Sequence, residues 1–139
     1  MKSRMLMGLA LVAGLICVPF VEMSAADDKV ADVSTIMKKN NGGKKSNGKL
    51  IDAALKSGDV KWDEVAKLAK DYNKYAADLP KNTPDKGDKA SWDKLSKAYA
   101  DEAKKLDEAA GKKDLDATKA AIATLIKPAT CKACHDVHK

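Results

Sequence analysis

The last twelve residues, PATCKACHDVHK, hold two of the three cysteines and both histidines of a 139-residue chain. Within them Cys131-Lys132-Ala133-Cys134-His135 fits the C-x-x-C-H pattern of covalent haem attachment. The pattern has a geometric reason. Two thiols three positions apart on a helix stand about one turn apart, so each can add to one vinyl group of a haem while the adjacent imidazole is held under the iron. Two other chemistries use the same residue types. A thioredoxin-like redox pair needs a strand before it and a helix after it, and that context is missing. A zinc site needs four ligands; Cys131, Cys134, His135 and His138 match that number, but their spacing is unlike the usual zinc pairs. His138 is three residues beyond His135, on a neighbouring helix face, and does not readily cross to the opposite side of the same haem. It reads as a solvated terminal histidine.

Covalent attachment suits a protein that must keep its cofactor outside the cell, and the N-terminus agrees. Lys2 and Arg4 precede an apolar run from Met5 to Val21, and Ser24-Ala25-Ala26 offers small residues for cleavage. Residues 1–26 therefore read as a secretory signal peptide. A spanning helix needs roughly 17–25 apolar residues, and this run is at the short end with Pro19 near its close, so no membrane anchor is expected after cleavage. Ile16 stands where a lipoprotein signal would want a small residue before Cys17. The exported chain, residues 27–139, is short enough for one domain and keeps only Cys131 and Cys134. A bridge between them would close a tiny loop and restrain little of the unfolded chain.

The chain carries 26 basic and 20 acidic residues, and loss of Lys2, Arg4 and Glu22 lowers its net charge from +6 to +5. Most lysines alternate with Asp and Glu along helical faces, as in DKLSKAYADEAKKLDEAAGKKD. A nucleic-acid reader would need a clustered basic stripe with base-reading partners, so no nucleic-acid role is expected. Lys38, Lys39, Lys44, Lys45 and Lys49 form the densest patch, able to steer an acidic redox partner at low salt.

Strand-type alternation is absent, and apolar residues recur at three and four. Trp62, Val65, Leu68, Tyr72, Ala76 and Leu79 predict a helix stopped by Pro80. LPKNTPDKGDKAS is a linker, with Ser91 expected to cap the next helix. Trp92, Leu95, Tyr99, Ala103, Leu106 and Ala110 make the clearest stripe, ending at Gly111. Asp114 can cap a last helix that Pro128 must kink or interrupt. The stretch from Val30 to Leu55 is polar in its middle, KKNNGGKKSNGK, yet Met37, Asn41, Lys44, Gly48, Ile51 and Leu55 keep a three/four rhythm across it. One long first helix is expected on that rhythm, against a penalty of about 1 kcal/mol per glycine. Four helices with short connections predict an all-α, antiparallel up-down-up-down four-helix bundle. Its alanine-rich seams leave room that a bulky apolar cofactor would fill.

A signal peptide, a four-helix pattern and CKACHDVH at the end resemble the class II cytochromes c, the cytochrome c-prime group and its low-spin relatives. SWDKLSKAYADEAKKLDEAA, YAADLP and STIMKKN carry the same resemblance. It implies one haem c joined by thioether bonds to Cys131 and Cys134, with His135 as the proximal iron ligand. Basic residues commonly follow the motif in this family, whereas here the chain ends almost at once. In low-spin members a methionine of the first helix takes the sixth position, and Met37 lies where it would fall. Met37 is also the only methionine left after signal cleavage. The alternative is a flexible core filler with no iron bond. With Met37 on the iron, Val33, Ile36 and the small residues after Met37 would wall the haem.

Two functions follow. One is a periplasmic or otherwise exported electron carrier with His/Met ligation, whose partners are redox proteins. The other is a five-coordinate haem protein that binds nitric oxide or carbon monoxide. Nothing in the sequence points to an enzyme, and the family it resembles includes bundles that pair through their first two helices, which leaves both a monomer and a homodimer open for this chain.

Overall fold

The computed structural model describes residues 29–139; the signal peptide read at 1–26, and the start of the exported chain at Asp27, lie outside them. The described residues form α1 Val33–Asn40, α2 Asn47–Lys56, α3 Trp62–Asp78, a 3-10 turn at Leu79–Lys81, α4 Lys89–Gly111, α5 Leu115–Ile126 and α6 Pro128–His138, with no strand among them.

Local chemistry accounts for most of these limits. Val65, Ala69, Tyr72 and Ala76 are the buried stripe of α3, which tightens into the 3-10 turn at Pro80. Asp114 caps α5, its carboxylate accepting from the Ala117 amide at 3.0 Å. Pro128 opens α6 at a position where no amide is needed, so α5 stops and the chain restarts as a new helix. The cap of α4 is Asp88 rather than Ser91. The Asp88 carboxylate accepts from the Ser91 amide at 2.9 Å, which makes Ser91 the third helical residue.

The long first helix does not form. α1 ends at Asn40, the chain turns through residues 41–46, and α2 begins at Asn47. A side chain at Gly42 would put its Cβ 2.7 Å from Lys38 Cα, and Gly43 sits at φ +80°. The glycine pair therefore folds the chain back on α1 where the three/four rhythm suggested continuation. Asn40, fully buried, fastens the break: its Nδ2 donates to the Tyr72 carbonyl at 3.0 Å.

α2 packs on α3 and α5, and α4 packs on the same two, so these helices enclose one apolar core. Tyr72, Ile51, Leu106, Ile122 and Leu125 fill it, with Ala69, Ala76, Ala103, Ala110 and Ala121 between them. Truncating one of its large aliphatics costs about 2–5 kcal/mol in such a setting. A second, smaller cluster joins Ile36 of α1 to Leu79 and Trp92, with Met37, Tyr99 and Cys134 against it. α1 is moored there by its leading segment. The Ala31 amide donates to Asp78 Oδ2 and the Asn82 side-chain amide to the Ala31 carbonyl, both at 3.0 Å. Burial opposes ionisation of Asp78, but the Lys81 ammonium and the Ala31 amide outweigh it and hold the carboxyl below its usual range.

Candidate haem site

α6 carries Cys131, Cys134 and His135 into one cavity of about 750 Å³, within the roughly 300–1,000 Å³ typical of cofactor sites. Its walls follow from helix periodicity. Ser34, Met37, Lys38 and Asn41 come from α1 and the residue after it, and Leu95, Ala98, Tyr99 and Glu102 from α4. Each set steps by three, one and three, which is one face of a helix. Leu79 and Leu125 add aliphatic wall. Cys131, Cys134, His135 and Met37, separated by almost a hundred residues of chain, thus line the same space.

Two expectations about that wall change. Ile36 is fully buried against Leu79 and Trp92, with Val33 packed on the same cluster, so neither lines the cavity. They occupy the core-facing stripe of α1, while Met37 is on the adjacent face. Gly42 does contribute to the wall.

Both cysteines are unbridged and half-buried. Burial, and then the neighbouring Cys131, pushes the Cys134 thiol above its ordinary range. That direction disfavours the Cys134 thiolate, the opposite of what a redox-active cysteine needs. The donor set and the apolar volume fit a haem bound through both thiols.

His138 is not solvated. It is 7% exposed, and its ring is held at both nitrogens, Nδ1 2.9 Å from the Lys86 carbonyl and Nε2 3.2 Å from Ser91 Oγ. The carbonyl can only accept, so Nδ1 carries the proton and Nε2 accepts from the serine hydroxyl. His138 thereby clamps the end of α6 to the start of α4 and has no place among the cavity residues. The expectation failed because Lys86 and Ser91 lie about fifty positions away in the chain, beyond any local pattern.

Sequence reasoning also missed a polar ring at the wall, in which Asn41 and Tyr99 line the cavity and Tyr72 is buried behind them. Asn41 Nδ2 donates to Tyr99 Oη at 2.9 Å, Tyr99 Oη donates to Tyr72 Oη at 2.7 Å, and Tyr72 Oη donates to Asn41 Oδ1 at 2.9 Å. Burial pushes both phenols above the ordinary tyrosine range, most strongly Tyr72. Only the position of Asn41, one helical turn after Met37, hinted at its place. A smaller cavity of about 260 Å³ shares Asn41 and Cys131 with the larger one.

Described residues whose regular elements are all helices, presenting C-x-x-C-H to a large apolar cavity, have the parts of a c-type haem protein. The family model described as Cytochrome C' matches residues 87–139, which supports a cytochrome c' family and a c-type cytochrome. The matched span holds Trp92, Tyr99, Cys131, Cys134 and His135; Met37 and Asn41 precede it. No curated protein and no solved structure gives a significant match. Among the described residues, no helix is long and apolar enough to cross a membrane.

Proposed function

We propose that the protein is an exported electron carrier, a four-helix bundle in which Cys131 and Cys134 hold one haem c, His135 ligates its iron from α6 and Met37 ligates it from α1. In this reading α1 with α2 makes one arm of the bundle, α3 and α4 the next two, and α5 with α6 the fourth. The single observation that carries it is that Met37 shares its cavity with His135 and both thiols. Bound there, the haem supplies a one-electron iron couple, and a His/Met pair places its potential high.

The chain's own residues do the rest. Cys131 and Cys134 keep the cofactor on a protein that has left the cell, and the aliphatic wall offers its ring an apolar bed. With His135 and Met37 both on the iron no position would be left open for substrate, so this reading makes the protein a carrier and not an enzyme. Lys38 borders the cavity, and Lys39, Lys44, Lys45 and Lys49, each exposed, follow it along α1, the turn after it and α2. This basic segment suits an acidic redox partner, steered by charge and weakened by salt.

The test is the absorption spectrum of the reduced protein. A sharp low-spin alpha band supports six-coordinate iron and the carrier. A broad high-spin envelope, with ready binding of carbon monoxide, would instead favour the five-coordinate protein that binds nitric oxide or carbon monoxide.

A further inference from the structure

We propose that Asn41 is a positioning residue for Met37, and that the Asn41–Tyr99–Tyr72 ring sets how firmly, and at what potential, the methionine holds its place; this rests on the His/Met reading above. Asn41 is bound to Met37 twice. Its backbone amide donates to the Met37 carbonyl at 2.8 Å, and its Nδ2 lies 4.0 Å from Met37 Sδ, at the outer reach of an N–H to sulfur contact.

The ring decides which way the Asn41 side chain points. With Nδ2 toward Tyr99 and Oδ1 toward Tyr72, every hydroxyl donates once and accepts once around the closed loop. This uses one amide proton and leaves the other for the sulfur. The reverse orientation could also close the ring, but it would turn the Asn41 carbonyl oxygen to the thioether, two electron-rich atoms. The contact with Met37 thus selects the orientation, and the tyrosines of α3 and α4 hold it.

Methionine is the natural target of such restraint, because its three rotatable bonds leave it loosely placed and its sulfur is a weak acceptor. A thioether has two lone pairs. One can bind iron while the other accepts the Asn41 N–H, which narrows the rotamers of Met37 and draws electron density from the sulfur. A poorer donor favours the reduced iron, so the hydrogen bond raises the potential.

The experiment compares wild type, Asn41→Leu and Tyr99→Phe as haem-loaded proteins, reading the reduced spectrum, the reduction potential and the affinity of the oxidised protein for imidazole, which competes with Met37. Asn41→Leu should stay low-spin, show a lower potential and bind imidazole roughly three- to tenfold more tightly, the scale of one net hydrogen bond. Tyr99→Phe should shift both in the same direction and by less, and it disturbs packing little enough to serve if Asn41→Leu folds poorly. Low-spin wild type with unchanged potential and imidazole affinity in both variants overturns the role of Asn41 and leaves the His/Met reading intact. High-spin wild type overturns both.

Discussion

His138 stands edge-on to Trp92, their ring centroids 5.4 Å apart and their planes at 79°. The contact joins the last turn of α6 to the first turns of α4, where the Trp92 indole also donates to the Asn82 carbonyl at 2.8 Å. The loop before α4 closes over it. A Cβ on Gly87 would lie 2.6 Å from both His138 Nδ1 and the Val137 carbonyl, and Gly87 has φ +81°. Position 87 is therefore glycine for two reasons, space and conformation.

From this clamp, His138→Ala should destabilise the protein by about 2–3 kcal/mol, the sum of an aromatic edge contact and two buried hydrogen bonds. Gly87→Ala should cost a similar amount by displacing the ring. Thermal or denaturant unfolding of the haem-loaded protein reads both. Neither substitution should alter the spin state, since His138 is absent from the cavity wall; a spectral change in His138→Ala would show that the clamp reaches the iron.

On the reading that residues 1–26 are removed on export, mass spectrometry of the purified protein should show one haem added to a chain that starts near Asp27. Cys131→Ser or Cys134→Ser should weaken retention under denaturing conditions, because one thioether bond is lost in each. A well-folded, cofactor-free zinc protein would contradict the assignment of the motif.

Met37→Ala should open the sixth position. The reduced spectrum is expected to turn from low-spin to high-spin, carbon monoxide to bind far more readily and the potential to fall with loss of the sulfur ligand. If wild type is high-spin and the substitution changes nothing, Met37 is a packing residue of the α1 cluster.

The 750 Å³ cavity separates elements that otherwise share little contact, since α6 meets only α5 and α4 closely. Haem-free protein should consequently unfold at lower temperature and less cooperatively than the loaded form, with α6 the first segment to exchange its amides. Equal melting of the two forms would show that the helices close the space by themselves.

Tyr72 and Tyr99 make the fold sensitive to alkali. Burial raises both phenols in the folded state, so the protonated forms bind more tightly there than in the unfolded chain. Their contribution is fully present below the ordinary tyrosine value of about 10 and is lost as pH rises from there through the raised folded-state values. Tyr72→Phe with Tyr99→Phe should flatten this part of the stability profile, measured by denaturant unfolding at pH 9 to 11.

What the sequence determined by itself is what short-range chemistry can specify. Pro80, Asp114 and Pro128 mark helix limits because caps and missing amides act within one turn; α4 does run to Gly111, but its left-handed turn falls on Lys113; and the spacing of Cys131, Cys134 and His135 names a candidate chemistry, haem attachment. Periodicity found the buried stripes of α3 and α4 for the same reason. The break between α1 and α2 was only half legible: Gly42 and Gly43 were visible, but the rhythm across them argued for continuation. What settled it was Asn40 reaching the Tyr72 carbonyl, a contact 32 residues away in sequence. His138 and the side chain of Asn41 take their distant partners from the tertiary structure, 47 to 52 and 31 to 58 positions away. A polar side chain reads as exposed until distant backbone and hydroxyl groups arrive to satisfy it, and only the packing of α4 against α6, and of α3 and α4 against the end of α1, brings those groups within reach.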